Sequence, residues 1–185
     1  WKWMVNAHGF RDEQVKPYAY NLAQFLQDEK MVQQAYGTAE PIYAAAAGAD
    51  PKTFLLADNG WTTYSTTIEA RNEMVENNPD LVQRFVNASI EGWYNFLYGD
   101  RTAAYELIMK DNPEMTKEKL DKEMAQFEKL GIIDVGDAIN NGIGAMSMDR
   151  VKAFHKLAVD SGIIEEGSVD VNKVATDKFV NKGHG

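Results

Sequence analysis

The chain changes character at about residue 68, and that change constrains its fold more than any other feature. Before it, short apolar runs of strand length alternate with short helical runs. After it, helical periodicity continues almost without interruption. Gln14–Tyr20 reads as a strand, with Pro17 placing it at an edge or a strand end. Asn21 can cap a short helix that carries Leu22, Phe25 and Leu26 on one face. Met31–Tyr36 reads as a second strand, Pro41 suits the first turn of the next helix, and Gly48 suits its end. Asp50-Pro51 is a turn signal, Thr53–Ala57 reads as a buried strand, and Thr62–Ile68 has the Thr and Tyr content of another. Alternation of this kind predicts an α/β fold with a largely parallel sheet and crossover helices.

The second part reads as helices. Asn78-Pro79-Asp80 combines a capping Asn, a Pro at the first helical position and an acid near the positive helix end. Leu81, Phe85, Ser89, Trp93 and Leu97 follow at intervals of four, flanked by Val82, Val86, Ile90 and Phe96, which predicts a long core helix. Asp100 or Thr102 opens another, with Ala103, Ala104, Leu107 and Ile108 buried, and Asn112-Pro113-Glu114 stops it. Thr116 caps a helix that runs to Gly131. Ser147 caps the last one, which carries Val151, Phe154, Leu157 and Ala158 and ends at Gly162. At the start, Trp1, Met4, Val5 and His8 share a helical face and Gly9 suits a C-cap. The abrupt opening Trp1-Lys2-Trp3-Met4 predicts that the N-terminal part of a longer protein is missing. The tail from Ser168 is polar apart from Phe179-Val180, and neither an internal repeat nor a low-complexity linker interrupts the chain.

Composition narrows the function classes. A length of 185 residues holds one domain, or one domain and part of another. A hydrophobic content of 44% suffices for a core. A net charge of −9 argues against nucleic acid and against an anionic membrane surface as partners. Insertion of this segment into a membrane is not expected, because no window approaches the ~20 apolar residues of a spanning helix; Ile42–Ala47 is far too short. Cysteine is absent, which removes disulfides, thiolate catalysis and cysteine–zinc sites.

Candidate binding residues gather at two predicted strand ends. Tyr36-Gly37-Thr38-Ala39-Glu40-Pro41 passes from a strand directly into a helix, and Ala57-Asp58-Asn59-Gly60-Trp61 follows the next strand. Open α/β sheets bind small ligands at such ends. Glu40 can accept hydrogen bonds from an amine or a ring N–H, or it can cap its own helix. Tyr36 and Thr38 can face the same cleft, or serve core packing and a turn. Asn59 lies in the second turn. Trp61 can stack on a flat ligand or close the edge of the sheet. His8, His155 and His184 are isolated, so neither a metal site nor another cofactor is expected. Gly142-Ile143-Gly144 lacks the third glycine of a dinucleotide loop. Asn87-Ala88-Ser89 matches a glycosylation sequon inside a helix, Glu118–Lys122 reads as a solvated pair, and Ser65 and Ser89 lie in no hydrolase motif. The chain reads as one that holds a molecule rather than one that transforms it, so no enzyme is expected.

Several segments resemble one family in the right order. They are Asn21-Leu22-Ala23-Gln24-Phe25-Leu26, Val32-Gln33-Gln34-Ala35-Tyr36 with Glu40-Pro41, Leu55-Leu56-Ala57-Asp58-Asn59-Gly60, Asn78-Pro79-Asp80-Leu81-Val82-Gln83-Arg84-Phe85-Val86 and Ala88-Ser89-Ile90-Glu91-Gly92-Trp93. Asp111-Asn112-Pro113-Glu114-Met115, Gly142-Ile143-Gly144-Ala145-Met146 and Phe179-Val180-Asn181 extend the match. Together they resemble the thiamine-precursor/taurine/sulfonate family of ABC-transporter solute-binding proteins. The resemblance implies a type II periplasmic-binding-protein fold, two lobes of mostly parallel sheet with flanking helices, with one lobe incomplete. Residues 1–61 would form part of the second lobe, 62–70 a hinge-crossing strand, and 71–185 the largely helical C-terminal part of the first lobe. It implies a periplasmic or extracytoplasmic protein that captures a small molecule and delivers it to a membrane permease. A thiamine pyrimidine precursor or a similar nitrogen heterocycle is the first expectation for the ligand, a sulfonate, taurine or another organic ligand the second. In the aminopyrimidine-binding members a Glu before Pro contacts the ligand, which points to Glu40 with Tyr36 and Thr38 beside it. Gly37-Thr38-Ala39 departs from the more usual Thr-Ser before that Glu. A relative of the same fold makes the thiamine pyrimidine with iron and a cysteine-rich motif that this chain lacks. A helical interaction module is the remaining alternative.

Overall fold

The computed structural model describes residues 1–183, and His184 lies outside them. The elements are α1 (Lys2–His8), α2 (Ala23–Gln27), α3 (Glu40–Ala46), α4 (Asn72–Asn77), α5 (Pro79–Tyr98), α6 (Thr102–Asp111), α7 (Lys117–Leu130), α8 (Ala138–Asn141), α9 (Met148–Asp160) and α10 (Val171–Val174), with 3₁₀ turns at Asp12–Gln14 and Ala57–Asn59. They divide into two compact units. The first contains residues 1–15, 56–93 and 136–185; the second contains 16–55 and 94–135.

Among the described residues there is no strand. This overturns the expected α/β class and the type II fold of two mostly parallel-sheet lobes. Residues 14–20, 31–36, 53–57 and 62–68 are irregular backbone, apart from the 3₁₀ turns that take their ends. An apolar run becomes a strand only when a neighbour bonds its N–H and C=O groups and a second layer covers one face. Neither condition holds here: Val32 is 79% exposed and Phe54 73%.

Helix boundaries follow local signals closely. Thr116 accepts a hydrogen bond from the Lys119 N–H at 3.3 Å, and Ser147 accepts one from the Arg150 N–H at 3.3 Å. Asn21 accepts from the Ala23 N–H at 2.9 Å. Gly131 ends α7 at a φ of 56°, where its N–H reaches the Phe127 carbonyl at 3.0 Å. That left-handed geometry is the one glycine adopts without a Cβ penalty.

Helix faces follow the sequence less well. Val82, Val86 and Ile90 of α5 are buried, whereas Leu81, Phe85 and Trp93 are exposed although they share the four-residue spacing with buried Leu97. The adjacent row wins because its neighbours lie there. A Cβ on Gly144 would touch Ile90 at 3.5 Å, and Gln83 of the same helix donates to the Phe179 carbonyl at 2.9 Å. In α6, Tyr105 is buried while Ala103 and Leu107 are exposed. In α1, Trp3 is buried rather than the face of Trp1, Met4, Val5 and His8. α1 docks on the end of α9: Lys2 donates to the Gly162 carbonyl at 2.8 Å and Asn6 to the Ser161 carbonyl at 2.9 Å. These carbonyls terminate a helix and lack intrahelical donors, so the two side chains satisfy acceptors that would otherwise need water.

The core of the first unit holds Trp3, Val82, Val86, Ile90, Ala158 and Phe179; that of the second holds Ala44, Leu97, Tyr105, Leu120 and Met124. The chain exposes 13236 Å². Two independent globular units sharing its 20.8 kDa would expose about 10,800 Å². Much apolar surface therefore stays in water. Two substitutions on α5 test which of its faces is buried. Ile90→Ala is expected to lower stability by about 2–5 kcal/mol. Phe85→Ala, at a side chain that is 61% exposed, should change it by less than about 1 kcal/mol. Urea unfolding followed by circular dichroism distinguishes them.

Candidate functional site

In the second unit, Tyr36–Ala39 forms a tight turn in which the Ala39 N–H reaches the Tyr36 carbonyl at 3.0 Å. Glu40 opens α3, and its Oε2 accepts a hydrogen bond from the Tyr36 N–H at 2.6 Å. The carboxylate therefore folds back over the turn and sits at the positive end of its helix. Pro41 follows in the first turn of α3, where its missing N–H costs no helical bond. Gly37 has a steric role: a Cβ there would stand 3.1 Å from Leu130 Cδ1 at the end of α7. Thr38 is half-buried in the turn. The ring of Tyr36 is 65% exposed, so its backbone rather than its phenol serves the turn.

One helical turn after Glu40, the Tyr43 hydroxyl donates to the carboxylate of Glu123 on α7 and lies 3.8 Å from Met115 Sδ. Lys119 Nζ stands 5.4 Å from the centre of the Tyr43 ring while it donates to the Glu114 carbonyl at 2.8 Å. Burial first, then the hydrogen bond to Glu123 and the charges of Glu123 and Glu40, push the Tyr43 hydroxyl well above the usual phenol range. Sequence reading passed over Tyr43 and Glu123. Their four-residue helical contexts look like ordinary surface, and the pairing becomes visible only when α3 meets α7.

The other two predicted residues lie in the first unit. Asn59 is exposed in the 3₁₀ turn Ala57–Asn59, which Gly60 closes at a φ of 102°. Trp61 is held among aromatic rings, with centroids 5.2 Å from Trp3 and, edge to face, 4.9 Å from Phe154. Trp3 in turn meets His8 at 4.9 Å. The structure thus brings Glu40, Tyr36 and Thr38 together in one unit and sets Asn59 and Trp61 two residues apart in the other.

The first unit also contains a polar knot that sequence reading missed. Tyr64 donates to Asp137 Oδ2 at 2.6 Å and accepts from the Ser147 N–H at 2.8 Å. Arg150 stacks 4.2 Å over the Tyr64 ring. Its guanidinium donates to the carbonyls of Thr62 at 2.8 Å and Thr63 at 3.3 Å, and stands 3.8 Å from Asp137. Burial, followed by the bond to Asp137, raises the Tyr64 hydroxyl above its ordinary value against the lowering effect of the Ser147 N–H and of Arg150. Beside the knot lies an open cleft of about 400 Å³ lined by Asp137, Asn141, Met146, Ser147, Asp149 and Asn181.

The minor sequence features resolve simply. Ser89 donates to the Phe85 carbonyl of its own helix at 2.8 Å, and Asn87 accepts from Gln83 at 2.7 Å. Glu118 and Lys122 pair at 2.7 Å in solvent. Among the described residues no group of three or more His, Asp or Glu side chains is placed to hold a metal ion, and no helix is long and apolar enough to cross a membrane.

Comparison with known families decides the class. The profile described as NMT1/THI5 like matches residues 1–103, more than half of the chain. The chain belongs to the NMT1/THI5 like family. The match covers both groups of candidate residues and runs past the end of α5 into the start of α6. It agrees with the resemblance carried by the sequence segments, and it places the chain in a family made up mostly of solute-binding proteins. Comparison with curated proteins finds no match, and neither does comparison with solved structures.

The raised phenols of Tyr43 and Tyr64 give a pH prediction. A hydroxyl whose acidity is weakened by folding stabilises the fold while it keeps its proton. That contribution is complete below the unfolded value near 10 and is lost as the pH rises through the higher folded value. Thermal unfolding should show a fall in Tm above about pH 10. The Tyr43→Phe/Tyr64→Phe variant should start lower and fall less.

Proposed function

We propose that this NMT1/THI5 like chain is the solute-binding component of an ABC importer, working outside the cytoplasm and handing a small molecule to a membrane permease. The ligand in this reading is a flat nitrogen heterocycle bearing an amine, with a thiamine pyrimidine precursor as the first candidate. Glu40 accepts the amine hydrogen bond. Tyr36 and Thr38 shape the turn that holds it. Asn59 and Trp61 belong to the other unit and are kept out of this site; the packing of Trp61 against Trp3 and Phe154 speaks for a structural role.

The observation that carries the reading is the geometry of Glu40 within the matched region. Oε2 takes the Tyr36 N–H, which leaves Oε1 as an acceptor on a carboxylate already fixed in place. A preorganised acceptor loses little freedom when a ligand arrives. The same negative charge disfavours a sulfonate or another anion, because like charges repel more strongly as water is removed. An enzyme that builds the pyrimidine through a cysteine-rich motif finds no cysteine in this sequence.

Titration calorimetry with an aminopyrimidine probe is the test. Glu40→Ala should weaken binding at least tenfold, or about 1.4 kcal/mol. An unchanged affinity would remove Glu40 from the site. Native mass spectrometry of the protein purified from its host should also reveal a bound heterocycle; a bound sulfonate would reverse the choice of ligand.

A further inference from the structure

We propose that Tyr43 and Glu123 act behind Glu40 to set the donor preference of the site, favouring a ring that bears an amine N–H over the same ring without it. The proposal rests on Glu40 as the ligand acceptor and adds the residues that tune it.

The argument begins with a count of protons. A phenol has one, and Tyr43 commits it to Glu123. Tyr43 follows Glu40 by three residues on α3, so the two side chains share a helical face. A free phenol there could turn its proton to Glu40 and compete with a ligand amine. With the proton held by Glu123, the hydroxyl turns only acceptor character to its other neighbours. Glu40 then keeps its acceptor capacity.

Charge works in the same direction. The ionisable groups around the phenol are Glu40 of α3 and Glu123 and Lys119 of α7; Met115 adds an uncharged sulfur. Lys119 is committed to the Glu114 carbonyl, while its neighbours Glu118 and Lys122 neutralise each other, as do Lys117 and Asp121. Two carboxylates thus face one lysine. Glu123 reaches the phenol by a hydrogen bond and Glu40 stands one helical turn before it on α3, so both carboxylates act on the same hydroxyl. Burial strengthens their fields because less water screens them. Tyr43 and Glu123 are positioning residues in this scheme, since neither touches the ligand.

Glu123→Gln is the discriminating variant. The amide oxygen still accepts the Tyr43 hydrogen bond and the side chain keeps its size, so the charge alone is removed. Calorimetry is run on the full chain with two probes, an aminopyrimidine and the same ring without its amino group. The wild type is expected to prefer the amine at least tenfold. In Glu123→Gln that preference should shrink three- to tenfold, with affinity for the ring without the amino group held within twofold. An unchanged preference overturns the proposal, and so does an equal loss for both probes, which is the signature of structural damage. Glu40→Gln separates the two levels. If it abolishes the preference while Glu123→Gln does not, the tuning role falls and the ligand-acceptor role of Glu40 stands. If the wild type binds neither probe, both fall together.

Discussion

With no strand ladder among the described residues, joining distant segments falls largely to side chains. In the first unit Arg150 carries much of that burden. Its planar guanidinium bonds two successive carbonyls, at Thr62 and Thr63, and covers the ring of Tyr64. The phenol of Tyr64 then reaches Asp137 and the start of α9. A lysine could not replace this arrangement, because a point charge offers neither the fork nor the flat face. The knot anchors the segment that follows Trp61, and so helps to hold that ring against Phe154 one turn further along α9.

The second unit uses the same device on a smaller scale. Glu40 bonds back to the Tyr36 N–H and fixes the turn before α3, and Tyr43 bonds across to Glu123 and fixes α3 on α7. Gly37 allows that turn to approach Leu130. Each bond serves architecture and leaves a chemical consequence: a carboxylate held in place with acceptor capacity to spare. In the function proposed above, that carboxylate is the grip for a small molecule.

How much of this was legible in the sequence depends on the range of each interaction. Thr116, Ser147, Gly9 and Gly131 end or begin helices as their local context requires, since a cap and its N–H or carbonyl lie within four residues. The runs at 31–36 and 53–57 misled because their apolar spacing matches a strand, yet a strand exists only with a partner that local sequence does not name. The stripe of α5 misled for a related reason. Two adjacent rows are apolar, and the row at 82, 86 and 90 is buried because Gly144 and the segment at Phe179 reach that side. The start of α3 at Glu40 was legible because its place, between a turn and a proline, is written in six consecutive residues. Tyr43, Glu123, Tyr64 and Arg150 were not, because each acquires its role from a residue more than seventy positions away.

The sequence by itself determined the helix caps, the acidic balance, the family and the turn that presents Glu40. The caps and the turn rest on contacts within a few residues, and the acidic balance and the family rest on residue identities and their order, which folding does not alter. Tertiary structure alone decided which helix faces are buried, that the apolar runs before residue 68 form no sheet, and that Glu123 takes the proton of Tyr43. Those outcomes depend on which distant groups meet, and burial and hydrogen bonding reward a group only when its partner has arrived.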